Sequence, residues 1–407
     1  MQLAERIKYV EQALSDPQRA LTRIKISAAW RDAAWIFFLS RLMILLMTYI
    51  GTGIFPVAST LQPQSLISRL RDWNHYDAIA YATIAHQGYS DPHYAAFFPL
   101  WPLLIHILGI PFGGTSTAYY VVGLLMANVL FFFALVLFHQ LVSREFDPAI
   151  AKAALLYLAF YPYAIFFFAG YTESLFVLLA LGIFLLLRRQ QMRYWWLAGL
   201  LGALATATHS TGIVLMVPIF VVALQRYWLG AQFRLTSWWQ KLHSLAPMLL
   251  VPLGLGAYMA YLAVTQGNPL LFSSTQSEWQ RHFALPWVGL FRALGQLYHP
   301  SAPQSVSNFL DVIFTLIPLI MLVVGWKRLP LHYTLFGVAV AVFSLSFPSL
   351  TLEPLTSVPR LLVIIFPMFI IFALWSKFPR FDRLYLTTSV ALFAVNVIIF
   401  TSHRWVA

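Results

Sequence analysis

Apolar runs long enough to cross a bilayer recur along almost the whole chain, and nothing in the sequence constrains its fold more. Twelve segments read this way: 33–57, 97–112, 117–140, 149–169, 172–188, 194–208, 211–225, 244–265, 305–326, 329–349, 360–376 and 384–400. Lys, Arg, Trp, Pro and Gly bound them, as they bound transmembrane helices. With 60% hydrophobic and only 10% charged residues, and a mean hydropathy of +0.73, the chain carries more apolar surface than a soluble domain of 407 residues can hide. The expected fold is all-α: a polytopic transmembrane bundle of about 11 to 12 membrane segments, with interfacial helices in the first outer loop. Residues 1–32 read as a cytoplasmic interfacial segment in which Leu3, Ile7, Val10 and Leu14 mark one helical face. Residues 33–407 read as a single transmembrane domain.

A formal charge of +12 suggests nucleic acid, but the Lys and Arg residues sit in short loops between apolar runs, where positive charge records membrane orientation. Most lie in the N-terminal segment and in the loops carrying Arg144, Arg188, Arg226, Lys327 and Lys377, which are placed on the cytoplasmic side. A crossing by 97–112 would put Arg188, Arg189 and Arg193 outside, so that segment reads as re-entrant or partial. The pair 194–208 and 211–225 then forms a hairpin turning at Ser210-Thr211-Gly212, and eleven crossings leave the C-terminus outside. The first thirty residues lack an apolar h-region, so no cleavable signal peptide is expected. Zero cysteines exclude disulfides, thiolate metal sites and cysteine catalysis. Neither a Gly-rich phosphate loop, a His-Glu-x-x-His motif nor an internal repeat is present.

This leaves polar outer segments at 58–96, 266–304 and 350–359, with Tyr171-Thr172-Glu173-Ser174 as a short fourth. Asp77 opens an amphipathic stretch that Gly88 can end as a C-cap, and the apolar segment from Phe97 follows at once. Asp77 reads as a helix N-cap or as a general base, roles that are compatible in a partly buried carboxylate. His75 and Tyr76 flank it; Asp72 reads as solvent-facing and Asp91-Pro92 as a turn. In the second loop, Gln266-Gly267-Asn268-Pro269 is a turn before a helix start, followed by Gln276, Trp279, Arg281 and His282. Trp279 and Arg281 fit an interfacial helix; alternatively Arg281 is a guanidinium that grips phosphate by paired hydrogen bonds, a reading that Arg360 at another outer mouth supports. Glu173 suits a helix start. His209, at the hairpin tip, suits a neutral buried imidazole bonded to backbone. Arg41 and Asp311 fall within spans, where pairing or water contact is expected of each. The other histidines are too scattered for a metal site, and one or two acids are weak support for a divalent ion, so no cofactor is expected.

Five short blocks resemble the GPI mannosyltransferase II (PIG-V-like) family: Asp77 with Ile84-Ala85, Gly88-Tyr89 and Phe97-Phe98-Pro99-Leu100; Tyr171 to Phe176; Thr208 to Gly212; Gly267-Asn268-Pro269-Leu270 with Gln276, Trp279 and Arg281; and Ser357-Val358-Pro359-Arg360. They keep the family order. Two positions depart from it: His75-Tyr76 stands where an Arg-Trp pair often precedes the Asp, and His209 stands where Arg is common, which makes its charge conditional on pH. The resemblance implies a GT-C glycosyltransferase that takes a hexose, mannose by analogy, from a polyprenyl- or dolichyl-phosphate donor. Asp77 matches the catalytic position. Arg281, Arg360 and His209 are expected at the donor phosphate, and His75, Tyr76, Glu173, Gln276 and Trp279 at substrate. The acceptor would be a glycolipid, glycan or protein hydroxyl, attacked with inversion on the non-cytoplasmic face of a bacterial plasma membrane or the ER. The rival reading is a transporter or lipid flippase, which explains the interfacial residues less well.

Overall fold

The computed structural model describes residues 17–55, 65–229, 237–298, 304–349 and 353–407. Among them there is no strand, only one isolated antiparallel bridge between Arg281 and Ser349. Hydrocarbon forces this outcome, because a helix satisfies its backbone amides within one segment. Five helices are long and apolar enough to cross a membrane: Ala28–Ile54, Ser116–Glu145, Ser210–Trp228, Val306–Gly325 and Pro379–Thr401. Trp238–Leu250 and Leu253–Gln266 make a sixth if their 43° bend is taken as one broken span. Leu100–Phe112, Pro148–Ala159, Glu173–Leu187 and Leu331–Leu345 are apolar but shorter.

The expected segments therefore recur as helices of altered length, of which five, or six with the bent pair, are long and apolar enough to cross, and prolines account for several breaks. The segment 149–169 divides into Pro148–Ala159 and the 3-10 turn Pro162–Phe167, while 360–376 divides into Val358–Leu362 and Phe366–Leu374. Pro162 and Pro367 each lack the N–H that would continue the preceding turn. The partial segment 97–112 contains a ten-residue helix, Leu100–Gly109, about half the length needed to cross ~30 Å of hydrocarbon. The first helix among the described residues, Pro17–Ile54, runs without a break through the boundary expected at residue 32. Leu3, Ile7, Val10 and Leu14 lie outside the described residues.

Ser116–Glu145 packs against both Pro148–Ala159 and Glu173–Leu187, Glu173–Leu187 packs against Met192–Thr208, and Phe366–Leu374 and Pro379–Thr401 close the bundle against Pro148–Ala159 and Pro17–Ile54. Trp73, Trp101, Trp195, Phe131 and Phe138 are fully enclosed. The surface is equally apolar: Trp35, Phe38, Leu125 and Val129 are exposed, as lipid contact requires. Inside, Arg41 donates to Asn128 Oδ1 at 2.8 Å and to the Phe167 carbonyl at 2.9 Å, between the rings of Phe37 and Phe131. Asp311 faces the Tyr163 hydroxyl. Neighbouring dipoles and rings thus stabilise Arg41, and a hydroxyl partners Asp311.

The two ends of the bundle differ. The Glu173–Leu187 helix begins in an acidic and aromatic cluster and ends at Arg188, which pairs with Glu145, itself bonded by the Tyr333 hydroxyl.

Candidate active site

The Asp77–Gln87 helix buries Tyr81, Ala82, Ile84 and Ala85 and stops where Gly88, at φ +69°, returns its N–H to the Ile84 carbonyl. Its N-cap is Tyr76, which makes no capping hydrogen bond, so the N-cap reading of Asp77 is not what the structure shows. The Asp77 carboxylate instead turns toward Arg360. That arginine is delivered by Ser357 in the left-handed region (φ +66°) and by Pro359 in the first turn of Val358–Leu362. Glu173 follows Gly170, whose φ of +81° suits glycine and whose carbonyl accepts from Trp101 Nε1.

Three chain regions meet at one guanidinium. Arg360 Nη1 donates to Asp77 Oδ2 at 2.5 Å and Arg360 Nε to Glu173 Oε1 at 2.5 Å, with the Tyr171 ring 4.4 Å from the guanidinium carbon. The Arg360 and Glu173 side chains are only 7% and 4% exposed, whereas Asp77 keeps 27% and stays within reach of a ligand. Both acids begin helices, whose N-termini favour negative charge. Arg360, expected at the donor phosphate, is thus shared by two carboxylates.

Arg281 stands in the field of both Asp77 and Arg360. Its Nη2 donates to the Thr356 carbonyl at 3.1 Å, and the Ser349 bridge with the Ala284 N–H to Ser346 O bond (2.9 Å) stitches the second loop to the segment before Arg360. Burial pushes its guanidinium below the usual arginine range, with Asp77 opposing. His209 occupies the expected hairpin tip. Its Nδ1 accepts the Thr211 N–H at 3.2 Å, which leaves Nε2 as the protonated nitrogen. Burial, with Arg360 and Arg281 nearby, lowers its pKa to about 4, so it is neutral near pH 7. The hairpin closes tightly because Gly212 lies where a Cβ would meet the Ala205 and Thr206 backbone at 2.4 Å. Thr172, Glu173, Phe176, His209, Leu361 and Ile364 line a small cavity, and Glu173 Oε2 has no hydrogen-bond partner.

The other predicted residues have partners of their own. His75 turns away from Arg360 and packs its ring on Phe400 (4.4 Å) and His403 (4.7 Å); burial and His403 push its pKa down to about 4. Tyr76 is bonded through its hydroxyl to the His403 carbonyl. Asp72 is buried near His403 instead of facing solvent, because the segment after the last helix covers it. Asp91 does cap its turn, accepting the His93 N–H. Gln276 contributes its carbonyl to the Arg281 N–H. Trp279 lies on the adjacent 3-10 turn, and its side chain is outside the described residues. Among the described residues no three His, Asp or Glu side chains converge as metal ligands.

A family model described as Mannosyltransferase (PIG-V) matches residues 54–270, more than half of the chain. The chain belongs to this family. The PIG-V match contains Asp77, Glu173 and His209; Arg281 and Arg360 lie beyond it and join the same site in space. GPI mannosyltransferase 2 from Cryptococcus neoformans var. neoformans serotype D (strain JEC21) is 34% identical over 160 residues, and the protein of that name from strain B-3501A is equally so. Each alignment covers 37% of this chain and 37% of the relative, so the chain spans well under half of the relatives' length in these matches. Among solved structures, ArnT from Cupriavidus metallidurans bound to undecaprenyl phosphate is similar at TM-score 0.47 and 12% identity, covering 91% of this chain and 76% of that one. The Archaeoglobus fulgidus oligosaccharyltransferase complex with zinc and sulfate is similar at TM-score 0.44 and 13% identity, covering 90% and 53%.

Two residues of this site, Tyr81 and Trp405, escape a reading by motif, and Tyr171 stands in one of the blocks without a role assigned to it. Tyr81, one turn after Asp77, lies in the field of Asp77, Arg360 and Glu173; the i, i+4 spacing was its only signal. Tyr171 supplies the ring beneath Arg360. Trp405 approaches the same guanidinium at 6.0 Å, and no local pattern marks it.

Proposed function

We propose that this protein is a membrane glycosyltransferase that moves a hexose, mannose by family, from a polyprenyl- or dolichyl-phosphate donor to an acceptor hydroxyl on a glycolipid or glycan. One observation carries the reading: Asp77, partly exposed, is held against Arg360 with Arg281 in its field, so an acid and two cations share one mouth of an apolar bundle. This suits GT-C-type chemistry at the lipid boundary. Asp77 accepts the proton of the acceptor hydroxyl as that oxygen attacks the anomeric carbon. The bond from that carbon to the phosphate oxygen breaks, the configuration inverts, and the electron pair leaves with the lipid phosphate. Arg281 faces the leaving phosphate, and Arg360 stabilises it from its place between the acids. His209 offers a neutral Nε2–H donor at the edge of the site. The basic loops supply the argument for sidedness: Arg188 and Arg189 lie at the far end of the helix that Glu173 begins, which favours a non-cytoplasmic site in the ER or a bacterial plasma membrane.

The test is transfer by purified protein. Radiolabelled polyprenyl-phosphate-mannose is supplied with detergent-solubilised membranes from cells lacking this protein, and labelled products are resolved by mass spectrometry. Asp77→Asn should lose about 10²- to 10⁴-fold in turnover while binding donor normally. Normal turnover by that variant removes Asp77 from its role, and movement of the lipid in liposomes without bond formation favours a transporter.

A further inference from the structure

After the Pro379–Thr401 helix the chain reverses at His403 (φ +58°) and lies back over the opening of the Asp77–Gln87 helix. The His403 carbonyl accepts the Tyr76 hydroxyl at 2.9 Å. The Trp405 ring meets Tyr76 edge-on at 4.9 Å, Phe166 at 5.8 Å and the Arg360 guanidinium at 6.0 Å. His403 stacks on His75 at 4.7 Å, with its Nε2 3.8 Å from Asp72 Oδ1. These contacts converge on one unusual residue. Tyr76 has φ +53° and ψ −129°, a combination unfavourable for any residue with a Cβ, and it immediately precedes Asp77. Such a conformation persists only where the surroundings over-determine it. The surroundings here are His403, Trp405, His75 and Phe400.

We infer that the strap Ser402–Ala407 is a positioning element of the active site, with Trp405 as its positioning residue: it pins Tyr76 in this conformation and thereby fixes where the Asp77 carboxylate stands relative to Arg360. Trp405 contacts Tyr76 and approaches Arg360, so its effect on the acid is transmitted through them. A general base moved by about 1 Å loses rate while the donor still binds, which gives the strap a distinct kinetic signature. The inference rests on the proposed role of Asp77.

The experiment measures kcat and donor KM with polyprenyl-phosphate-mannose and the same solubilised-membrane acceptor, using the full chain. Trp405→Ala should lower kcat about 10- to 100-fold with donor KM within about twofold, and Trp405→Phe, which keeps a ring against Tyr76, should recover most of it. In an Asp77→Asn background, Trp405→Ala should cause no further loss in the residual rate. If Trp405→Ala does not fold, Tyr76→Phe carries the test: it removes only the hydroxyl bond to His403 and should lower kcat about three- to tenfold at unchanged KM. Full kcat in the folded variants, a loss confined to KM, or an equal loss in the Asp77→Asn background overturns the strap. An inactive Asp77→Asn beside an unimpaired Trp405→Ala rejects the strap alone, whereas a fully active Asp77→Asn rejects the functional reading beneath it.

Discussion

Arg360→Ala tests whether one guanidinium holds two acids together. Its side chain is 7% exposed and bonds both Asp77 and Glu173, so truncation leaves two carboxylates in unequal surroundings. Asp77, at 27% exposure, regains water and loses little, on the order of 1 kcal/mol or less. Glu173 is 4% exposed and its second oxygen already lacks a partner, so it is left as a buried carboxyl that must stay ionised without its cation or take up a proton. Breaking such a pair costs about 3–5 kcal/mol, most of it the penalty of the charge left behind. Adding Glu173→Gln to Arg360→Ala removes that charge and should restore most of the stability, while Glu173→Gln alone should cost less because Arg360 keeps Asp77. The assay is denaturant unfolding of all four proteins in detergent micelles, with turnover measured alongside. Both variants lacking Arg360 should remain inactive. A stable Arg360→Ala, or strict additivity in the double variant, would refute the shared-cation argument.

Arg281→Ala should raise donor KM about 10- to 100-fold, the value of a charged hydrogen bond to phosphate, and an unchanged donor response would take that arginine out of the phosphate site. His75 titrates near 4 when folded and near 6.5 when unfolded, so the unfolded chain binds the extra proton between those values. Stability should be fully present above about pH 6.5 and decline as pH falls toward 4; unfolding at pH 7.5 and 5 compares the two, and His75→Phe should flatten the slope. Gly212→Ala should open the hairpin, since its Cβ would stand 2.4 Å from backbone atoms of Ala205 and Thr206; a destabilisation of about 1–3 kcal/mol or more is expected, and a neutral effect on thermal unfolding would mean the turn relaxes freely.

Hydropathy carried most of the architecture because a membrane leaves the backbone so few choices. The apolar runs, the short segment after Phe97 and the turn at Ser210-Thr211-Gly212 all reappear as helix, partial helix and hairpin. What hydropathy could not locate were interruptions: Pro162 and Pro367 break apolar runs that stay apolar on average. Asp72 illustrates a second limit. Its surroundings are polar in sequence, and only the return of His403, more than three hundred residues later, buries it.

The same distance in sequence explains the partial reading of the site. Motif blocks nominate Asp77, Glu173, Arg281 and Arg360 one at a time, but charge balance belongs to the assembled set. Arg360 reaches across 283 residues to one acid and 187 to the other, and two carboxylates on one guanidinium leave it less available to phosphate than Arg281, whose Nη2, among the described residues, bonds a carbonyl. A phosphate entering this mouth must displace a bonded carboxylate, Asp77, at Arg360, whereas at Arg281 it competes with the Thr356 carbonyl and the field of Asp77. The donor response should therefore follow Arg281 more closely than Arg360, whereas stability should follow Arg360 and leave Arg281 nearly neutral. Two arginines with equal effects on both quantities would mean that the ion pairs described here do not govern the site.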